Sequence, residues 1–468
     1  MARNIVLICL DSVRWDYFRQ YATQLMDRAD VVFEQCRAAS SWSVPSHASM
    51  FTGVLPSRHG VHSHNFDFST ISKKDTFFES LPSYEILGIS ANSFVSSTFG
   101  FSDSYDRFVD TDPINRFPEG LDVRTLDQTS ISSQILGLLK ELYTHDYPVK
   151  SLSNAILAQI NSLSRALPIP QLLDSGARVV SRQMAALASS AIEPFFLFGN
   201  FMDAHGPLTP TRQFDSAIYS VPLTWNSPDH IDAWEINQAN DLESYEQQLK
   251  YYRELYGAAI DYLDRTVVKL INTINRDTTH DTTFIITSDH GENLGYDADE
   301  RLFSHVSSLS ESLLHVPFLL VNPPSGYEAT EGGYFSHLDL GTLIAGFAED
   351  TSPDVFRDEV VAERIGIGSM NPDFDDETYR YWDRMLRCAY SGPEKFVWDS
   401  LGNVEKYRLD LDRPCYQSRC DDLTAKPAWV DQFFETDIQA YKRQAAAGDG
   451  DRDIDESTEA RLKNLGYL

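Results

Sequence analysis

Disulfide chemistry is the first thing this chain has little material for. Its 468 residues include five cysteines, at positions 9, 36, 388, 415 and 420. The number is odd and the positions are scattered, so reduced thiols are expected and a disulfide framework is not. The spacing of Cys415 and Cys420 suits neither a zinc ribbon nor a redox dithiol. Long apolar runs are also missing. No stretch reaches the length that spans a bilayer. Residues 4–10 are apolar but short, with no basic region before them and no small-residue cleavage site after them. These absences point to the cytoplasm. Positive charge is the third scarcity: 39 Lys and Arg face 69 Asp and Glu, for a net charge of -30 and a pI near 4.6. Such a surface repels nucleic acid and anionic membranes at long range and argues against both as partners. A dispersed acidic excess with few lysines is also the composition of salt-adapted, halophilic cytoplasmic proteins.

Apolar material is present in ordinary amount, 42% of residues with 12% aromatic, enough for a globular core. The length favours one large domain with a smaller appendage. The apolar residues are cut into strand-length runs that end alike. Residues 5–10 form a continuous apolar run that stops at Asp11-Ser12; residues 194–201 stop at Met202-Asp203-Ala204-His205; residues 283–287 stop at Ser288-Asp289-His290-Gly291-Glu292. Continuous runs of this kind make buried parallel strands, and open parallel sheets bind ligands at the strands' carboxyl ends. Taken singly, Asp11 reads as well as a helix N-cap, and His205 as a backbone-bonded core histidine. Three strands ending in acid or histidine point instead to one shared site. Asp289-His290 can offer two ligands to one divalent ion, with Gly291 letting the backbone turn away closely.

The stretch Ser43-Val44-Pro45-Ser46-His47, followed by Thr52-Gly53 and then Pro56 and His59-Gly60, reads as a nucleophile turn. Pro45 is expected to push Val44 out of the helical region, with a helix starting near Ala48 and Ser43 on the bend. The helix start would offer unpaired N–H groups to an anion. These residues resemble the nucleophile box of the sulfatase-like hydrolases of the alkaline phosphatase superfamily, which runs Cys or Ser, any residue, Pro, Ser, Arg, and then Thr-Gly. The resemblance implies that Ser43 is the nucleophile, a position matured to formylglycine in true sulfatases. It implies that Asp11, Asp289 and His290, with the oxygen on Ser43, hold one divalent cation (Ca, Mg or Mn). It also makes His205 and His305 the residues that contact the transferred group and protonate the leaving oxygen. The chain departs from the family at three places. His47 stands at the Arg position read by maturation enzymes, Ser12 stands where a second Asp is usual, and no Lys aligns near Asn92, where a sulfate-binding Lys is usual. His47 and Asn92 are the candidate substrate-binding residues. Asp289-His290 is the pair carried by phosphodiesterase and phosphonate-hydrolase members, where arylsulfatases carry Asp-Asn.

The implied fold is α/β, an alkaline phosphatase-like large mixed sheet flanked by helices with a small C-terminal α+β subdomain. The catalytic domain is expected over 1–375. Residues 111–190 read as a helical insertion, from the periodicities of Ile131, Leu136, Leu139 and Leu142 and of Leu152, Ile156, Ile160 and Leu163. Residues 76–81 and 86–92 read as helix then strand, with Gly88 at the turn. Short alternating strands around 388–390, 395–399 and 407–411 place a small sheet subdomain over 376–445, and 446–468 form an acidic tail. Three functions follow: a sulfuric ester hydrolase on a sulfated sugar or small ester; a phosphodiester or phosphonate monoester hydrolase or phosphoryl transferase; and a non-catalytic binding module.

Overall fold

A computed structural model of the chain describes residues 2–448 apart from 113–115, 118–119, 123–125, 127–136, 138–139, 141, 143–144, 240, 369–373 and 421–424. Its centre is an eight-stranded mixed sheet built from β1 (Asn4–Leu10), β2 (Val31–Arg37), β3 (Glu85–Ser90), β4 (Arg107–Asp110), β5 (Phe195–Phe201), β6 (Thr282–Thr287), β7 (Phe318–Val321) and β8 (Thr330–Ser336), in the order β4-β3-β5-β1-β6-β7-β2-β8. Strands β3, β5, β1 and β6 lie side by side and parallel. The residues that follow them therefore gather at one edge of the sheet. β7 is antiparallel to both β6 and β2, which leaves β2 parallel to β6 and adds its own carboxyl end to that edge.

Every residue of β1 is buried, as a strand covered on both faces must be. Its alternation decides what covers each face. Val6, Ile8 and Leu10 pack under the helices Trp15–Tyr21, Ala177–Ser190 and Glu246–Asp277, while Ile5, Leu7 and Cys9 pack under Ser43–Thr52 and Leu340–Ala348. On the second face the rings of Phe51, Phe77, Phe101 and Phe198 interlock at centroid separations of 5.2–5.8 Å, so the helix that starts at Ser43 is anchored by aromatic contact. Gly88 lies inside β3, not at a turn. A Cβ there would come within 2.6 Å of Phe108 and 2.7 Å of Tyr105, so the constraint is close packing on the neighbouring strand.

A second, antiparallel sheet runs in the order β13-β12-β11-β10-β9, from β9 (Glu359–Ile365), β10 (Met385–Ser391), β11 (Glu394–Asp399), β12 (Val404–Leu409) and β13 (Gln417–Cys420). It takes its first strand from before position 376, because β9 pairs with β10 although the helix Asp376–Trp382 lies between them in the chain. The seam between the sheets holds buried charge. Glu311 lies 2.9 Å from Arg37 Nη2 and 3.2 Å from Lys395 Nζ, and it accepts the Tyr390 hydroxyl at 2.6 Å. Burial alone would raise the pKa of Glu311; Arg37 and Lys395 outweigh it and hold the carboxyl at about 2.

The segment 111–190 is not one insertion. Helix Ala177–Ser190 buries Val180 and Met184 against the main sheet and is a layer of its core. Helix Pro148–Ala166 carries the periodicity of Leu152 to Leu163, whereas Ile131, Leu136 and Leu139 lie outside the described residues, as does the tail from 449 onward. All five cysteines are free thiols. Among the described residues no helix is long and apolar enough to cross a membrane.

Candidate active site

The loop after β2 delivers Ser43. Trp42 is extended, at φ -161° and ψ 164°, and the helix Ser43–Thr52 begins at the serine itself. Val44 and Pro45 are therefore helical, contrary to the reading that Pro45 would delay the helix. Pro45 sits in the first turn, where N–H groups lack an intrahelical acceptor, so its missing N–H costs the helix nothing; the first helical bond runs from Ser46 N to Trp42 O, 3.2 Å. Ser46 fixes the register from the side by donating its hydroxyl to the Asp289 carbonyl at 2.5 Å.

Ser43 Oγ lies 3.2 Å from Asp11 Oδ2 and 3.3 Å from His290 Nε2. Asp11, Asp289 and His290, all buried, each bring one potential ligand atom within 4.8 Å of the others. The backbone arranges these three. Ser12, at φ 61°, turns the chain sharply after β1, its hydroxyl donates to Asp11 Oδ1 at 2.9 Å, and its N–H donates to Asp289 Oδ1 at 3.2 Å. Gly291 lets the chain pass the loop beside it, since a Cβ there would sit 1.9 Å from the Ser312 carbonyl. His290 Nδ1 is 2.8 Å from the Gly291 carbonyl. That contact makes Nδ1 the donor and leaves Nε2 as a lone pair facing Ser43.

This donor set fits a divalent cation. Asp289 Oδ1 is used by two backbone N–H groups, yet Oδ2 is buried with no hydrogen-bond partner. An orphaned carboxylate oxygen in the interior is costly unless something positive meets it. Two carboxylates and an imidazole are the hard and borderline ligands that such ions take. Burial would raise the pKa of Asp289, but His290 and His47 beside it prevail and lower it, keeping the carboxylate form.

His47 and Asn92 both sit beside this cluster. His47 Nδ1 is 2.8 Å from the Ser43 carbonyl and 3.5 Å from Asp289 Oδ2, with its ring between Phe101 and Phe198. Asn92 Nδ2 donates to Asp11 Oδ2 at 2.8 Å while its Oδ1 accepts from Phe94 N at 2.9 Å. Both brace the acids and the serine from behind. On the other side, His205 and His305 stand with ring centroids 5.1 Å apart, and His305 is 4.9 Å from His290. The rings of 205, 290 and 305 thus form one continuous imidazole surface. Burial, then His290 and His205, hold the pKa of His305 well below the ordinary value.

Two residues escaped sequence reasoning. Glu292, 1% exposed, places Oε2 3.3 Å from His305 Nδ1 and leaves Oε1 without a partner. Burial raises its pKa to about 7, against the opposing pull of His205 and His290. Its signal was present in the same strand ending, two residues past His290. Arg364 belongs to β9, in the other sheet, and reaches Ser41 Oγ at 3.1 Å and the His305 carbonyl at 2.9 Å. No local pattern in the sequence marks it.

Comparison with known proteins places the chain in a family and a fold. The family model described as Sulfatase matches residues 3–350. An uncharacterised sulfatase, YidJ of Escherichia coli (strain K12), is 26% identical over 178 residues, covering 36% of this chain and 34% of that protein. The chain's alignments with its curated relatives span 34% to 45% of their lengths. Among solved structures, the phosphonate monoester hydrolase of Agrobacterium radiobacter superposes with a TM-score of 0.56 at 14% identity, covering 100% of this chain and 96% of the other. A protein solved with its substrate D-glucosamine-2-N,6-O-disulfate gives 0.57 at 13% identity, covering 97% and 100%. At these identities the likeness of structure shows a shared fold.

Proposed function

The chain belongs to the sulfatase family, which its match over residues 3–350 establishes, and from that premise we propose that it hydrolyses sulfate esters with Ser43 as the nucleophilic position. One observation carries the reading: a buried hydroxyl, Ser43 Oγ, lies 3.2 Å from Asp11 and 3.3 Å from His290 at the cluster formed with Asp289. A structural serine at a helix start would have no reason to bring its hydroxyl against a buried acid and an imidazole beside the unbonded Asp289 Oδ2.

Asp11, Asp289 and His290 would hold one divalent cation, Ca, Mg or Mn, which when bound favours the ionised serine and offsets charge on the ester oxygens. The chain's own groups do the rest. Ser43 Oγ attacks sulfur in line, a serine–sulfate bond forms and the bond from sulfur to the alcohol oxygen breaks. His205 and His305 line the imidazole surface beside the serine, where His205 protonates the departing oxygen and His305, held neutral by burial, contacts the transferred group. Water then returns Ser43 and releases sulfate. Asn92 keeps Asp11 oriented, and His47 holds the Ser43 carbonyl and Asp289 in register. If Ser43 is matured to formylglycine, its hydrated aldehyde serves as the nucleophile instead. His47, in place of the arginine that maturation enzymes read, favours the unmodified serine, and the intact mass of the site peptide decides between the two.

A second reading, phosphodiester or phosphonate monoester hydrolysis, is favoured by the Asp289-His290 pair and by the likeness to the phosphonate monoester hydrolase fold. A saccharide ester is the substrate class suggested by the relative solved with a disulfated glucosamine. Turnover of an aryl sulfate against an aryl phosphodiester, each with Mg, Ca or Mn, separates the readings; no turnover of any ester with any metal would leave a binding module. Free thiols and the acidic surface support a cytoplasmic, salt-adapted enzyme, for which the melting temperature should rise in molar KCl.

A further inference from the structure

We propose that Arg364 is the cationic contact for the anionic ester group of the substrate, contributed to the Ser43 site by the C-terminal sheet. This rests on the reading of Ser43 as the site of ester cleavage.

The argument begins with an uncompensated charge. Arg364 is 5% exposed and makes no ion pair among the described residues, although acids outnumber bases 69 to 39 in this chain. Every other deeply buried cation has a carboxylate: Arg14 has Asp16 and Asp299, Arg37 and Lys395 share Glu311, and Arg387 has Glu363. A guanidinium stays charged in a protein, and an isolated buried charge is expensive unless an anion meets it. Arg364 Nε is buried with no hydrogen-bond partner at all, so the fork that suits a bidentate oxyanion is incompletely used. Burial, then Arg384 nearby, outweighs the opposing pull of Asp383 and lowers its pKa to about 9, which still leaves it charged at neutrality.

The location supplies the ligand's chemistry. The Nη1 contacts of Arg364 run to Ser41, two residues before Ser43, and to the carbonyl of His305. The adjacent Glu363 bonds through its N–H to the Ala39 carbonyl at 3.0 Å and accepts from Ser57 N at 2.8 Å. β9 therefore grips the nucleophile loop on both sides of the serine and brings its arginine to the imidazole surface. The cation that Asp11, Asp289 and His290 would hold is matched by those two acids, Glu292 adds a third carboxyl beside His305, and among the described residues no lysine bonds to Ser43 or His290. Arg364 is the guanidinium placed to meet the ester's remaining negative charge.

The test is binding of inorganic sulfate, and separately of inorganic phosphate, to the full-length protein by calorimetry, with KM and kcat for an aryl sulfate and an aryl phosphodiester. Arg364→Met should weaken binding of the anion the site prefers at least ten-fold and raise KM more than it lowers kcat. Arg364→Lys, which keeps the charge without the fork, should recover part of both. Melting curves identify any variant that has not folded, and Arg364→Lys then carries the comparison. Unchanged anion affinity and KM in folded Arg364→Met would overturn the proposal and leave the arginine as a strut between Ser41 and His305. If the wild type hydrolyses no ester but loses sulfate affinity in Arg364→Met, the anion site stands and the hydrolase reading falls.

Discussion

Buried charge appears in two places in this molecule and is treated in opposite ways. At the seam between the sheets, Glu311 has both oxygens occupied, by Arg37, Lys395 and the Tyr390 hydroxyl. Around the carboxyl edge of the main sheet, Asp289 Oδ2, Glu292 Oε1, His47 Nε2 and, from β9, Arg364 Nε are all buried without a hydrogen-bond partner. Polar groups in a folded interior are normally satisfied, so the contrast separates an acid met on both oxygens within the protein, with Arg37 Nε the one unbonded nitrogen beside it, from a site where four groups await something from outside.

The largest expected effect tests the incomplete region. Ser43→Ala removes the hydroxyl at its centre and should reduce kcat by on the order of 10³-fold or more, while the melting temperature changes little; a variant that melts early instead would make Ser43 a structural residue. The complementary change, Glu311→Leu, strands Arg37 and Lys395 and should cost about 3–5 kcal/mol of stability. Activity per folded molecule should stay near wild type, measured by denaturant unfolding beside turnover. Loss of turnover at unchanged stability would erase the distinction between the regions.

Smaller effects sharpen it. Glu292→Gln keeps the size but weakens the hold on His305 Nδ1, and a loss of about 10–100-fold in kcat is expected, the usual scale for a group that orients a functional imidazole; no loss would make Glu292 a bystander. The smallest effect is on pH. Burial lowers His59, His315 and His337 to about 3. For each, the unfolded chain binds the proton near pH 6.5 while the folded protein does not. Stability is therefore full above pH 6.5 and falls steadily as pH drops toward 3. Glu311, held at about 2, adds its own loss only below about pH 4.5, the usual carboxyl range. Melting temperature should thus begin to fall between pH 6.5 and 5, before Glu311 titrates, because the three imidazoles outweigh the opposite contributions of Glu292, raised to about 7, and Asp264, raised to about 6; a profile that rises there on acidification would contradict the burial of these imidazoles.

Much of this was legible in the chain itself. Continuous apolar runs at 5–10, 194–201 and 283–287 announced buried parallel strands, and of the acids and histidines that end them the fold gathers Asp11, His205, Asp289 and His290, while Asp203 instead accepts the N–H groups of Ser175 and Ala177. What could not be read there is non-local. Pro45 looked like a helix breaker because local steric rules ignore that a first-turn N–H has no acceptor to lose. Gly88 looked like a turn because its reason, the rings of Phe108 and Tyr105, lies on other segments. Arg364 was invisible because its meaning depends on a second sheet docking beside Ser41. Segment 111–190 was read as one insertion because amphipathic periodicity does not say whether a helix covers a core or projects from it.

Cation dependence is the most direct measurement of the central claim, that acids distant in sequence converge with Ser43 on one divalent ion. The full-length protein is stripped with a chelator and then titrated with Mg, Ca or Mn, following heat of binding and ester turnover together. The account predicts one equivalent bound and turnover restored in the wild type, with neither in Asp289→Asn. Full turnover after stripping, or undiminished binding by Asp289→Asn, would contradict it.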